Sequence, residues 1–128
     1  MRGWLSGPIE WASLFVVFYD FERLAKESAH SAVAPAQIRL FEKRLRLGDT
    51  LWCTARFWGP PTVFVFTDAQ AAALSQSAST AHFVDHWFTA AKLHDEFGYL
   101  TRDEVFVAVD SKENLDRNYE GSLYYYFK

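Results

Sequence analysis

His82 and His86 stand four positions apart with Asp85 beside them, in the order His82-Phe-Val-Asp85-His86. On a helix, positions i and i+4 share a face, so two imidazoles at this spacing can converge on a divalent cation, with the Asp85 carboxylate as an oxygen ligand. His82, Asp85 and His86 are therefore the candidate metal or ligand set. A small metal- or ligand-binding enzyme domain, with its pocket between this helix and a sheet, is one reading of the chain. The competing reading is a solvated helix face whose histidines bond locally, since His94 falls on another face. Cys53, the single cysteine, lies within a β-branched and aromatic run, where a thiol serves as a small hydrophobe. A reactive thiol is found instead at a helix N-terminus or beside a basic group.

Other chemistries are excluded by what is missing. One cysteine cannot build an internal disulfide framework or a cysteine-based zinc site. The glycines are isolated in sequence, so no phosphate-cradling glycine loop can form, and there is no Gly-x-Ser-x-Gly elbow. Neighbouring carboxylates such as Asp95-Glu96 and Asp103-Glu104 read as solvated faces. No cofactor is implied, and a binding protein is favoured over an enzyme. The His82–His86 order resembles the His-x-x-Glu-His arrangement of one metallopeptidase class, with Asp85 where that class has Glu; the shorter arm displaces a general base, so no peptidase is implied. The stretch Asn114-Leu-Asp116-Arg-Asn118-Tyr-Glu-Gly121-Ser-Leu-Tyr124 resembles the Trp-Asp-Asn-Asn-x-Gly-x-x-Tyr stretch of starch-binding modules, with Leu115 in the place of the tryptophan and a different spacing to the glycine. The helical chain before it departs from the β-sandwich that this resemblance implies.

Charge and aromatic content say more. The 128 residues carry a net charge of −3, and aromatic residues make up 18% of them. A domain of this size cannot hide that many rings, so a surplus is expected at the surface, where Tyr and Trp favour binding. The first half of the chain, residues 1–64, is net positive and the second net negative. Asp110, Glu113, Asp116 and Glu120 gather in one polar stretch with Tyr119 inside it and Tyr124–Tyr126 close by. These carboxylates, with Tyr119 and Trp58 as aromatic anchors, form the candidate partner-binding set. The reading they support is an antitoxin-like inhibitor or immunity-type protein, whose acidic and aromatic surface neutralises a basic partner, a toxin or an enzyme. The acidic balance argues against nucleic acid. Arg39, Lys43 and Arg46 share a helix face that Glu42 interrupts, and it reads as solvated. The longest apolar run, Leu14–Tyr19, is far short of a membrane span. The absence of a secretory pattern and the free thiol favour a cytoplasmic protein, monomeric or homodimeric.

The elements that must position these residues follow from periodicity. A helix is predicted over residues 8–29, with a strand over 11–19 as the alternative. A second helix opens at Pro35 and stops near Gly48. Strands over 50–58 and 62–67 flank Gly59-Pro60-Pro61 as a hairpin, with Leu51, Cys53, Ala55 and Phe57 on one face. Asp68 can cap a helix over 69–78, and Thr80 one over 81–97 that Gly98 ends. A strand is predicted over 105–109, a polar connection over 111–121 and a last strand over 123–127. The expectation is a single α+β domain over 1–128: an antiparallel sheet of about four strands with helices packed on one face.

Overall fold

A computed structural model describes residues 11–57 and 59–128 of the protein, with side chains from residue 21 onward. The fold is α+β. Among the described residues, six α-helices surround one three-stranded sheet. Strands β1 (Leu51–Ala55) and β2 (Thr62–Val65) form the hairpin expected around Gly59-Pro60-Pro61, and pair antiparallel. β3 (Ala108–Ser111) lies parallel to β2 on its other side, so the sheet is mixed and not antiparallel. The expected fourth strand over 123–127 is the helix α6 (Leu123–Phe127), whose N-cap Ser122 accepts a hydrogen bond from the Tyr125 amide at 3.4 Å. The aromatic run favours a strand by propensity, but packing overrides propensity of this size.

The helices also occupy both faces of the sheet. All four residues of β2 are buried, and neighbouring side chains on a strand point to opposite faces. Val63 packs into a core with Phe41, Leu45, Phe83, Trp87 and Val107. Phe64, one residue on, packs into a separate core with Ala55 and Leu115, joined by Tyr119, Leu123 and Tyr126. A β-bulge between Leu51 and Cys53 breaks the alternation of β1. Leu51 therefore joins the first core, whereas Trp52 and Cys53 join the second. The single face expected for Leu51 and Cys53 is lost to that bulge. Burial, then the nearby Glu42, pushes the Cys53 thiol above its ordinary pKa, in keeping with a packing role.

Helix α1 (Trp11–Ser31) settles the 11–19 ambiguity in favour of helix; the expected start at residues 8–10 lies outside the described residues. So do the side chains of residues 11–20. Helix α2 (Pro35–Leu45) buries Phe41 and Leu45, and ends at Arg46 in the left-handed region (φ +56°), before the expected Gly48 stop. Helix α3 (Asp68–Ser75) is capped by Thr67, not Asp68: the Thr67 hydroxyl accepts from the Gln70 amide at 3.2 Å, and the Thr67 amide donates to Gln70 Oε1 at 3.0 Å. Helix α4 (Ser79–Lys92) stops short of the expected residue 97. Asp95 explains the stop. Its carboxylate accepts from the amides of Tyr99 (3.0 Å) and Leu100 (2.8 Å) and from Lys92 Nζ (2.8 Å), which folds the chain back on itself. Burial opposes its charge, but Lys92 and those amides outweigh burial and hold the carboxyl below its usual pKa. The expected solvated face at Asp95 is thus a buried turn anchor. The expected polar connection from Ser111 contains helix α5 (Lys112–Asn118). Helices over much of the chain rule out a β-sandwich. No helix among the described residues is long and apolar enough to cross a membrane.

The first core centres on Trp87. Its ring is fully buried, meets Phe41 edge-on at 5.3 Å, and lies 5.7 Å from the Arg56 guanidinium. Its indole N–H donates to His30 Nδ1 at 3.0 Å. That bond requires an unprotonated Nδ1, so His30 is neutral with its proton on Nε2. Burial, then the Arg56 charge, lowers the His30 pKa. Below about pH 6.5 the unfolded chain takes up a proton that folded His30 refuses. Stability is therefore expected to decline as pH falls from that value until the lowered folded pKa is reached. Urea midpoints measured across this range should show the slope, and His30→Gln should flatten it; an unchanged slope in the variant would disprove the assignment.

Candidate functional site

The polar stretch singled out in the sequence is built around α5, which begins directly where β3 ends. Ser111, fully buried at that junction, does two things with one hydroxyl. It accepts from the Asn114 amide at 2.9 Å as N-cap of α5, and donates to Asp68 at the start of α3. Asp68 also receives Arg117 Nη2 at 2.9 Å. The Ser111 and Arg117 contacts hold the Asp68 carboxyl below its usual range, so Asp68 remains an acceptor at neutral pH. Glu113 closes the same junction by accepting from the Asp68 amide at 2.7 Å.

Asp110 points inward, toward α6. Its carboxylate accepts from the Tyr126 hydroxyl at 2.8 Å, from Asn114 Nδ2 at 3.0 and 3.1 Å, and from the Ser111 amide at 2.7 Å. Burial, then Asp110, pushes the Tyr126 phenol well above its ordinary pKa, which keeps it a neutral donor. The structure thus places Asp110 as a support under the face. Asp116 forms an ion pair with Lys112 at 2.8 Å. Glu120 is exposed, has φ +56°, and makes no ion pair among the described residues. Together with Asn118, Tyr119 and Tyr125 it lines a surface recess of about 210 Å³. Tyr119 meets Tyr126 edge-on at 5.0 Å, which fixes one wall. Tyr124 (65% exposed) and Tyr125 (51%) extend the aromatic surface along α6, and Phe57 stacks on Phe127 at 6.1 Å. Trp58 lies outside the described residues.

Of the expected set, the structure brings Tyr119 and Glu120 into one recess and ties Asp110, Glu113 and Asp116 to partners within the protein. Tyr125 was missed as a specific wall of the recess. Its place in an aromatic run was the visible signal, but a strand reading turns alternate rings away from each other, and helix α6 does not.

A second site lies on the other side of the molecule. His82 and His86 do share a face, and they line a groove of about 660 Å³ between α4 and α2, where a pocket against the sheet was expected. Ser79 and the apolar floor of Leu45, Leu47 and Phe83 belong to it as well, as do Arg44 and Arg46. Asp85 is not in the groove; it pairs with Arg102. Two guanidiniums in the same groove repel a divalent cation. Among the described residues, no three His, Cys, Asp or Glu side chains are grouped to hold a metal ion. A further recess of about 420 Å³, between α1 and Gly59-Pro60, has charges that pair with one another, Arg23 with Glu27 and Lys26 with Glu22.

No family model, curated protein or solved structure matches this chain.

Proposed function

We propose that the protein is a small inhibitor of the immunity type, which binds a basic partner protein, a toxin or an enzyme, through the face formed by α5, α6 and Phe57. The observation that supports this reading best is the recess in which Glu120 stands beside Tyr119 and Tyr125. A carboxylate with no ion pair among the described residues, in one recess with two phenol rings, offers a lysine or arginine of the partner an ion pair and a ring face together. The neighbouring Tyr124 ring supplies apolar area with little side-chain entropy to lose. The left-handed backbone of Glu120 adds weight. It costs a non-glycine residue about 1–2 kcal/mol, and such strain gathers where a side chain has a task.

The distribution of internal partners supports a division of roles in this reading. Asp110 and Asp116 hold the face in shape; Glu120 and the tyrosines make contact. Neutralising Glu120 by Glu120→Gly should therefore slow association and weaken its salt dependence, while leaving or raising the thermal midpoint, because glycine accepts the backbone without strain. Tyr125→Ala should act on dissociation, by about 2 kcal/mol or roughly 30-fold for a central aromatic anchor. The test is capture of a partner by the wild-type chain followed by association kinetics with both variants. Capture of an acidic partner, or a basic one held equally by wild type and both variants, would sink the reading.

A further inference from the structure

The groove between α2 and α4 takes no part in the docking face, and its charge is set apart from the rest of the surface. Every described lysine and arginine outside residues 39–46 has a carboxylate, carbonyl or ring partner. Arg39, Lys43, Arg44 and Arg46 have none among the described residues. Two of these free guanidiniums, Arg44 and Arg46, line the groove with His82 and His86, and no carboxylate does. Ser79, at the start of α4, lies in the same wall. The N-cap of that helix is Ala78, which has no side chain able to cap, and its first turn carries no acidic residue. The Ser79 amide donates to Ser77 Oγ at 3.2 Å, so this helix end adds only its partial positive charge to that of the two arginines. Arg46 holds its place at φ +56°, a backbone region that suits glycine.

The groove also has a direction. Past Arg44 and His86 it continues as a recess of about 220 Å³ over Leu40, Ala90 and Leu93. Leu40 and Leu93 are both exposed there, with Gln37 and Thr89 at the edges of the same recess. A cationic end thus leads into an apolar one. A carboxylate is satisfied by one guanidinium fork, whereas a phosphate monoester offers three oxygens and up to two charges, enough for both arginines and an imidazole N–H at once. A volume of about 660 Å³ falls within the roughly 300–1,000 Å³ of small-molecule sites. We propose that the α2–α4 groove binds a small organic phosphate, a phosphomonoester with an apolar chain. The phosphate sits among Arg44, Arg46 and His82, and the chain lies over Leu40, Ala90 and Leu93.

Calorimetric titration of the whole protein with hexyl phosphate tests this, with inorganic phosphate and hexanol as the head and the tail alone. Hexyl phosphate should bind with a Kd of about 1 mM or tighter. Inorganic phosphate should bind about tenfold more weakly or worse, because the chain no longer buries apolar surface. Hexanol should give no measurable heat. Arg44→Gln should weaken hexyl phosphate about tenfold, as loss of a charged hydrogen bond does. Arg46→Gly should weaken it comparably while keeping or raising the thermal midpoint, which separates lost binding from lost folding. The proposal is overturned by any of three results: no binding of hexyl phosphate at these concentrations, equal affinity for hexanol, or binding undiminished in both variants. Binding only to vesicles that carry a phosphomonoester lipid would overturn the small-molecule assignment.

Discussion

Truncating Trp87 to alanine is expected to remove about 3–5 kcal/mol of stability, the range for deleting a large buried ring. A domain of this size has about 5–15 kcal/mol in all, so the variant loses about a fifth of its margin or more. Three contacts go together: the edge-on packing against Phe41, the N–H bond to His30, and the Arg56 guanidinium near the ring face. Trp87→Phe separates packing from polarity. It keeps most of the apolar ring but deletes the N–H, leaving His30 Nδ1 buried without a donor, at about 1–3 kcal/mol before the smaller cavity is counted. Urea melts with unchanged slope should place the phenylalanine variant between wild type and alanine. A phenylalanine variant as stable as wild type would show that the His30–Trp87 bond contributes nothing.

Leu115→Ala is the other large effect, at about 2–5 kcal/mol. Leu115 is the one fully buried side chain of α5 and packs with Phe64 and Ala55 beneath the proposed docking face. Its carbonyl also accepts from the amides of Tyr119 and Gly121, each at 3.0 Å, so it anchors the turn that presents Glu120. The loss should fall mostly on this side of the sheet. Amide exchange should rise in α5 and α6 more than in α2 and α4, and the α2–α4 groove should keep its affinity for hexyl phosphate. Uniform loss of protection across both sides would show that the two cores do not act as separable units.

The sequence carried the hairpin, helix α2 and helix α4 openly, because β-branched alternation around Gly59-Pro60-Pro61 and the Phe83–Trp87 spacing are strong local signals. The burial of both sheet faces was also visible in principle. Thr62-Val-Phe-Val-Phe-Thr67 is continuously apolar at its centre, which marks a strand covered on both sides. The mixed strand order was not visible, since nothing local says that Ala108 pairs parallel to Thr62. Nor was the extent of β3: Val105 and Val107 are buried in the first core before pairing begins at Ala108. Helix α5 carries a single buried apolar residue, Leu115, which gives no period to detect. The same holds for the sites. Types and spacing pointed to His82, His86, Tyr119 and Glu120, but Arg44 and Arg46 reach the groove only through the packing of α2 against α4.

The parallel partnership of β2 and β3 has a consequence in time. β1 and β2 are joined by residues 56–61 alone, whereas the connection from β2 to β3, residues 66–107, is several times longer. Each doubling of a closing loop adds about 0.6 kcal/mol of entropy, so the third strand engages against a larger barrier than the second. The chain then acquires the seat of α5 late in its folding. A molecule caught before that step owns a nearly complete hairpin but lacks the face built from α5 and α6.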